Sequence, residues 1–275
     1  MKEDINMSLA VSHTLFPNEV LESKLTDLLN TKLGVRSLMT IDNSLTEAPG
    51  MIKKINVYKY TGQVEKLTKG QGNSTSGVVS YDQKQYTVEL SQQMFQYYDE
   101  DVMVDPTVVD MGMAGASTLM VNDLNTKFFA ELGKATLKAT YASTLNYDTI
   151  VDAIQLMNLE DESGLFLIIG TDLKAQIRKD PDFKSAQLGE ILFNGQIGTI
   201  SGVPVIVSKL TPKGEAFLAT KEAITLFVKK DSEVEQEREA NKRLNSVFMR
   251  KVHLVALTDA TKVVHIKAAG KAAQA

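Results

Sequence analysis

Several residue types that support chemistry are missing or scarce in this chain of 275 residues. It contains no cysteine and no tryptophan, and it has three histidines. The absence of cysteine excludes disulfides, thiolate zinc sites and cysteine nucleophiles together. Histidine is the most frequent general base in enzymes, so its scarcity leaves little of the usual catalytic equipment.

Long apolar segments and an excess of basic residues are also missing. No apolar run reaches the roughly 18 residues of a transmembrane helix, and Met1-Lys2-Glu3-Asp4 does not resemble a secretory signal. The 30 basic and 34 acidic residues give a net charge of −4, unlike a dedicated nucleic-acid binder. Apolar residues at 43% and charged residues at 23% are typical of a folded globular protein.

The first part of the chain combines a helical arm with a long hairpin. Apolar residues recur at helical spacing from Val20 to about Thr31, and Gly34 ends the pattern. Residues 51–92 instead alternate like two β-strands around a polar tip between Lys69 and Gly77. An isolated hairpin is marginally stable in water, so we expect it to lie on its own body or on a neighbouring subunit.

The strongest single element follows the hairpin. Asp105 and Pro106 supply a helix N-cap and a first-turn proline. An apolar stripe from Val109 to Ala139 then predicts one helix of about 34 residues, roughly 50 Å long. Globular helices average about 11 to 12 residues, so this length is unusual for an enzyme.

The second half predicts a mixture of helices and strands. Helices are expected at 148–159 and 172–179, on either side of the buried strand 165–169. Later strands are expected within 195–209 and at 223–228, 246–257 and 262–266. Because the helices come early and the strands late, the pattern favours an α+β fold over a doubly wound parallel sheet.

Three patterns could indicate binding chemistry, and each has a simpler interpretation. His253 and His265 would face each other across a hairpin of the last two strands, but a metal site needs a third ligand. Gly70-Gln71-Gly72 opens no helix and lacks the third glycine of a dinucleotide fingerprint. Glu160-Asp161-Glu162 lacks EF-hand spacing and is interpreted as a solvated helix end. We therefore expect no metal and no cofactor.

One charged run suggests self-association. Residues 233–243 change from acidic to basic along the chain. The favoured interpretation is an exposed loop or strand edge. A segregated charge pattern also suits symmetric assembly, in which the acidic half of one copy meets the basic half of the next.

The order of these elements resembles the major capsid protein of tailed phages, whose fold is named after phage Hong Kong 97. Residues 195–208, GQIGTISGVPVIVS, resemble a strand-turn-strand motif that recurs in the family. The strand at 223–228, the segment 234–238 and the paired strands up to Lys267 follow in the family's order. The resemblance covers about residues 50–267.

The resemblance implies a division of the chain and a structural role. The implied parts are an N-terminal arm (1–50), an extended hairpin loop over the adjacent subunit (51–92), a peripheral domain with a spine helix (93–144), an axial domain (145–222), and return strands with a tail (223–275). The chain would not be an enzyme. It would assemble through pentamers and hexamers into an icosahedral head that encloses double-stranded phage DNA.

The resemblance also implies partners and assembly residues. Assembly would take place in the host bacterial cytoplasm, with a portal, non-specific DNA contact and no membrane. An arm of about fifty residues, shorter than the cleaved scaffolding segment of some members, implies a separate scaffolding protein and no cleavage. The candidate self-assembly residues are Lys66, Lys69, Gly70, Gly72, Gly77, Glu235, Glu237, Arg238, Lys242 and Arg243. Some members crosslink through a hairpin lysine, but no activated isopeptide site is evident, so we expect no crosslink.

Three other hypotheses remain open from the sequence. The same fold would serve an encapsulin-like compartment shell that houses cargo enzymes. A phage tail or adaptor protein would form rings or tubes. An enzyme with an α+β body would show titratable residues gathered in a cleft.

Overall fold

The computed structural model describes residues 20–25, 34–47, 49–181 and 198–269. Predictions on other residues lie outside the described residues. They include the helix beyond Leu25, the first residues of the motif at 195–208 and the end of the C-terminal tail. Among the described helices, none is both long and apolar enough to cross a membrane.

The described chain contains both helices and strands, as the sequence predicted. The helices are α1 (residues 20–25), α2 (Asp99–Val104), α3 (Val108–Leu132), α4 (Tyr147–Met157) and α5 (Thr171–Lys179). The strands are β1 (Thr40–Asp42), β2 (Ile52–Thr61), β3 (Val78–Thr87), β4 (Glu89–Tyr98), β5 (Leu137–Tyr141), β6 (Leu165–Ile169), β7 (Thr199–Ile200), β8 (Val203–Val207), β9 (Glu215–Thr220), β10 (Ile224–Glu239), β11 (Leu244–Leu257) and β12 (Val263–Ala268).

The chain divides into two compact units, each built from three separate stretches. The first unit comprises residues 1–33, 90–123 and 230–252, and the second comprises 34–89, 124–229 and 253–275. Helix α3 and strands β10 and β11 therefore contribute residues to both units.

The first unit contains most of β4 and the distal parts of β10 and β11, where β11 lies between the other two strands. Its part of α3 buries residues at steps of three or four, which confirms the predicted apolar stripe. Its buried apolar side chains are Leu21, Leu25, Tyr97, Val109, Met113, Ala116, Met120, Val121, Val234, Val247 and Met249.

The long helix is shorter than predicted. Helix α3 ends at Leu132, and the amides of Gly133, Lys134 and Ala135 donate to carbonyls three or four residues earlier. Residues 137–141 then form β5, which pairs in parallel with β12. The stripe from Val109 to Ala139 continued past the helix because alanines in a turn and a strand are buried as well. Glycine at 133 is a poor helix former, and it marks the break.

The second unit is organised by a six-stranded sheet in the order β5-β12-β9-β6-β8-β7. Strand β6 is buried at all five positions, as its continuous apolar sequence predicted. It pairs with β8 in parallel and with β9 in antiparallel orientation. The predicted strand-turn-strand motif is present as β7 and β8, which pair around Ser201 and Gly202.

Helix α4 lies where the sequence predicted it, and an asparagine at each end explains its bounds. The side chain of Asn146 accepts a hydrogen bond from the Thr149 amide at 3.2 Å and caps the N-terminus. Asn158 adopts a left-handed conformation with φ of 48° at the C-terminus. The helix buries Ile150, Ala153, Ile154 and Met157.

The last two long strands do not form the hairpin that the sequence predicted. Strand β11 belongs to the sheet β1-β10-β11-β4, whereas β12 lies between β5 and β9 in the other sheet. His253 and His265 are therefore not cross-strand partners. The short connection at Asp259 resembles a hairpin turn. Strand β12 pairs with β5 and β9 instead, because this position buries Val263, Val264 and Ile266 inside the six-stranded sheet.

The charged run is a strand over most of its length. Strand β10 continues through Glu239, and residues 240–243 form the turn into β11.

Strand β3 ends at Thr87, earlier than the predicted boundary at Leu90, because β4 begins at Glu89 in a different sheet. Between them the buried Val88 donates its amide to the Met51 carbonyl at 2.7 Å.

A cavity variant tests the role of β6. We expect Leu167→Ala to lower the free energy of unfolding by about 2–5 kcal/mol, because the fully buried leucine leaves a cavity in a packed sheet. The exposed Leu156→Ala on α4 is the matched control and should change it much less. Urea denaturation of both variants measures the difference, and similar losses would contradict the assigned core.

Candidate assembly surfaces

The base of the β2–β3 hairpin is anchored on the second unit. The ammonium of Lys53 lies 4.8 Å from the ring centroid of Phe227 and donates to the Ser44 hydroxyl at 3.2 Å. The Tyr86 hydroxyl donates to the Leu257 carbonyl at 3.3 Å. Burial, followed by the negative charge of Glu131, raises the pKa of Tyr86 above its usual value. These contacts attach the root of the hairpin to the rest of the second unit.

The distal part of the hairpin is exposed on both faces. The register pairs Tyr58 with Tyr81 and Tyr60 with Val79, and paired residues project from the same face. These four side chains are 62–69% exposed, and we call them the tyrosine face. Their neighbours on the opposite face include Lys59 and Asp82. The hairpin is thus amphipathic with nothing against its apolar side among the described residues.

Hydrogen bonds hold the side chains at the root of the tyrosine face. The Gln83 amide donates to the Asn56 carbonyl oxygen at 3.0 Å, and the Asn56 amide donates to the Tyr58 hydroxyl at 3.3 Å. The rings of Tyr58 and Tyr81 lie 6.1 Å apart between centroids. These contacts restrain the Tyr58 side chain.

Gly77 leaves room for an aromatic ring. A Cβ atom at Gly77 would lie 2.1 Å from the Tyr60 hydroxyl oxygen, and one at Gly62 would lie 2.6 Å from the same atom. Both glycines therefore allow the Tyr60 ring to lie against the end of the hairpin. This gives Gly77, a predicted site residue, a definite structural role.

The loop that joins the two strands is pinned by one carboxylate. Glu65 accepts hydrogen bonds at 2.8 Å from the Ser74 amide, the Ser74 hydroxyl and the Thr75 amide, and a further one from the Thr75 hydroxyl. These bonds, with that of the Thr75 hydroxyl contributing most, lower the pKa of Glu65 to about 2. We call this arrangement the Glu65 clip.

The other predicted hairpin residues lie within the clipped loop. Lys66, Lys69 and Gly72 are exposed there, and Gly70 adopts a positive φ of 89° in a turn closed by the Gln71 amide. Only glycine takes this backbone conformation without strain. The sequence therefore located the tip of the hairpin but missed Glu65, because a single acid among polar residues carries no pattern.

The second predicted group lies at the turn between β10 and β11 and is tied to the chain itself. Arg238 pairs with Asp99 at 2.6 Å and Arg243 with Glu100 at 2.9 Å. Lys242 pairs with Glu239 at 2.9 Å, and Glu235 with Arg250 at 2.6 Å. Glu237 is exposed. Within the described residues, most of these charges have partners in the same chain.

Asp99 is the centre of this group, although the sequence did not single it out. It also accepts a hydrogen bond at 2.7 Å from the Asn245 amide, and its own amide donates to the Arg243 carbonyl at 3.1 Å. The hydrogen bonds from Arg238 and then from Asn245 hold the pKa of Asp99 below its usual value. Asp99 thereby joins the start of α2 to the turn.

His265 and Asp161, two of the residues considered above for metal binding, have other roles in the structure. His265 contacts Glu215 at 2.8 Å and stacks on Phe217 with ring centroids 4.7 Å apart, which is a role in sheet packing. Asp161 accepts hydrogen bonds from Ser163 in a loop, which agrees with the solvated helix end. Among the described residues, no three metal-binding side chains are grouped together.

Removing the charge of Glu65 should open the loop. We expect Glu65→Gln to increase the rate of trypsin cleavage after Lys66 and Lys69 several-fold, because a neutral amide holds the Ser74 and Thr75 donors less strongly. Glu162→Gln, in an exposed loop elsewhere, is the matched control. Mass spectrometry of the fragments measures the rates, and equal rates in both variants would contradict the clip.

The pKa of Asp99 predicts an acid-sensitive turn. Because its folded pKa is below the unfolded value of 3.8, Asp99 adds stability above about pH 4 that is lost as the pH falls through the lowered pKa. Replacement by asparagine should abolish this part of the pH dependence and lower the melting temperature at pH 7. Thermal melts of Asp99→Asn between pH 3 and 7 measure both effects. An unchanged profile would refute the assignment.

Comparison with known proteins identifies the family. The family described as phage capsid protein matches residues 82–266, about two thirds of the chain. The major capsid protein of Staphylococcus phage phiMR11 is 23% identical over 265 residues, which covers 93% of this chain and 94% of that protein.

Solved structures share the fold at low sequence identity. A structure from Mycobacterium phage Che8 has a TM-score of 0.68 at 13% identity, covering 86% of this chain and 91% of that one. A virus-like particle from Pyrococcus furiosus has a TM-score of 0.62 at 15% identity, covering 90% and 98%. The fold is therefore the Hong Kong 97-like capsid fold. Because the family match spans most of the sequence, the chain belongs to the phage capsid protein family, as a structural protein of the head shell.

Proposed function

We propose that this chain assembles through pentamers and hexamers into an icosahedral head that encloses double-stranded DNA. The observation that carries the proposal is the distal hairpin, whose tyrosine face is exposed although its root is anchored. A two-stranded ribbon cannot bury its own faces, so its apolar side gains burial when it lies on an adjacent subunit. One chain used in many copies then closes a symmetric shell.

The parts of the chain keep the roles that the resemblance implies. Residues 51–92 are the extended loop over the neighbour, and 93–144, with α3 as the spine helix, belong to the peripheral domain. Residues 145–222 form the axial domain around the five-fold and six-fold axes. Residues 223–275 return to the peripheral domain, and the turn at 240–243 lies near three-fold axes. The arm at 1–50 precedes the hairpin.

The candidate assembly residues lie in two places, the tip of the β2–β3 hairpin and the hairpin of β10 and β11. Glu65, Gly70, Gly72 and Gly77 give the tip of the hairpin its shape, and Lys66 and Lys69 present positive charge there. The ion pairs of Arg238, Lys242 and Arg243 shape the turn within each copy. Glu235 and Glu237 are exposed on the same hairpin of β10 and β11. No covalent crosslink through Lys66 or Lys69 is proposed.

Partners other than the chain itself follow from the role. We propose a separate scaffolding protein that sets the curvature of the shell, a portal at one vertex, and assembly in the host bacterial cytoplasm before the protein becomes part of the virion. Contact with packaged DNA is non-specific. A net charge of −4 supports weak DNA contact, because tight non-specific binding depends on neutralising many phosphates.

Electron microscopy of the purified protein tests the proposal directly. Expressed with its scaffolding protein, the chain should give closed shells with five-fold and six-fold capsomers in negative stain. DNA in shells from infected cells supports a phage head, whereas enclosed enzymes would indicate a compartment shell. Open rings or tubes would indicate a tail or adaptor role. A monodisperse monomer or dimer, with and without the scaffold, would overturn the proposal.

Shortening the hairpin separates assembly from folding. We expect deletion of residues 56–83, with the flanking strands joined by a two-residue turn, to abolish shell formation while the melting temperature changes little. The reason is that the deleted residues are exposed, apart from the half-buried Glu65 of the tip, whereas the root contacts of Lys53 and Tyr86 remain. Sedimentation velocity and thermal melting measure the two properties. Normal shells from the shortened chain would contradict the role of the hairpin.

A further inference from the structure

A second exposed apolar surface lies in the first unit, around the junction of α2 and α3. Met103, Val104 and Met111 are 81%, 87% and 70% exposed, and we call them the methionine patch. They lie within nine residues of the chain, joined by the turn in which the Val108 amide donates to the Asp105 carbonyl at 3.2 Å. Such a cluster of large exposed apolar side chains is typical of an interaction site.

The patch is surrounded by negative charge. Residues 99–111 contain five acidic and no basic residues. Asp99, Glu100 and Asp110 have basic partners in the same chain. Asp101 and Asp105 instead accept hydrogen bonds from neutral groups, the Tyr98 amide and the Thr107 amide and hydroxyl. Within the described part of the chain, neither carboxylate has a basic partner. The surface is therefore apolar at its centre and acidic at its rim.

The hairpin carries the opposite charge. Residues 52–87 contain six lysines and two acidic residues, and one of the two, Glu65, is engaged in the clip. Lys54 lies on the same side of the hairpin as the tyrosine face, and Lys66 and Lys69 lie beyond it at the tip; all three are exposed. The two surfaces thus match in their apolar centres and are complementary in the charge of their rims.

The chemistry of the two apolar centres also suits direct contact. Thioether sulfur interacts favourably with aromatic rings, and methionine adapts its shape to the partner. Tyrosine provides rigid contact area and a hydroxyl that can stay at the wet edge of an interface. A head-to-tail assembly needs two different surfaces on each copy that fit each other, and these two meet that need.

We propose that the tyrosine face of one copy docks on the methionine patch of the next copy. The inference rests on the proposed shell function and adds to it the face of the hairpin that is buried and the site that receives it. Tyr58, Tyr60 and Tyr81 pack on Met103, Val104 and Met111. The lysines of the hairpin lie beside Asp101 and Asp105 of the receiving copy.

Crosslinking between two variants tests the contact. Because the chain has no cysteine, chains with Gln83→Cys can be mixed with chains with Val104→Cys and assembled with scaffold. A short bismaleimide should then join the two variants into covalent dimers. The matched control is Asp82→Cys, the adjacent residue on the opposite face. We expect several-fold more dimer from Gln83→Cys than from Asp82→Cys.

The outcomes separate this inference from the proposed function. Shells that form but give equal dimer yields from the two faces, or none from either, would overturn the docking arrangement and leave the shell function standing. Failure of the unmodified chain to form shells would overturn both. If a cysteine variant does not assemble, the comparison is made by charge reversal, which introduces no substitution on either apolar surface.

Charge reversal at the tip provides that second measurement. We expect Lys66→Glu/Lys69→Glu to slow assembly several-fold at low ionic strength and to weaken its salt dependence, because repulsion from the acidic rim replaces attraction. Lys213→Glu/Lys221→Glu, two exposed lysines elsewhere, is the control with the same change in net charge. Light scattering follows assembly, and equal slowing by both variants would overturn the proposed pairing of charges.

Discussion

The structure depends on one constraint, which is that a two-stranded ribbon cannot provide its own hydrophobic core. Strands β2 and β3 are anchored at the root through Lys53 and Tyr86, but their distal residues are exposed on both faces. Burial of the tyrosine face can therefore come only from outside the hairpin. This requirement connects the local sequence to the proposed assembly, in which a second copy supplies the missing contacts.

The sequence predicted those elements whose pattern is local. The bounds of strand β6 and helix α4 were predicted to within about two residues. A short apolar run indicates a buried strand, and a capped amphipathic segment indicates a helix, without reference to the rest of the chain. The end of α3 and the pairing of β12 were not found. Both depend on residues distant in the chain, because β5 and β12 pair with each other in parallel. A buried alanine is compatible with a helix, a turn or a strand, so the apolar pattern alone does not show where the helix ends.

The candidate site shows the same division. The glycines and lysines of the tip were recognisable because turns have a strong composition. Glu65, Asp99 and the tyrosine face were not. Their roles arise from the register of the strands, from hydrogen bonds across one loop at Glu65, and from a hydrogen bond between Asp99 and the distant Asn245. The charged run was noticed correctly, but its partners, Asp99 and Glu100, come from a segment more than a hundred residues earlier.

Both strands of the hairpin are also edge strands, with backbone groups along their outer sides that could template pairing with any other extended chain. In an unassembled pool this is an aggregation hazard, and it grows with concentration just as productive assembly does. Lys54, Lys59 and Lys84 are spaced along these edges, where charge discourages indiscriminate strand addition. The lysines thus disfavour pairing between the edges of two hairpins, which leaves the hairpin available for the docking proposed above.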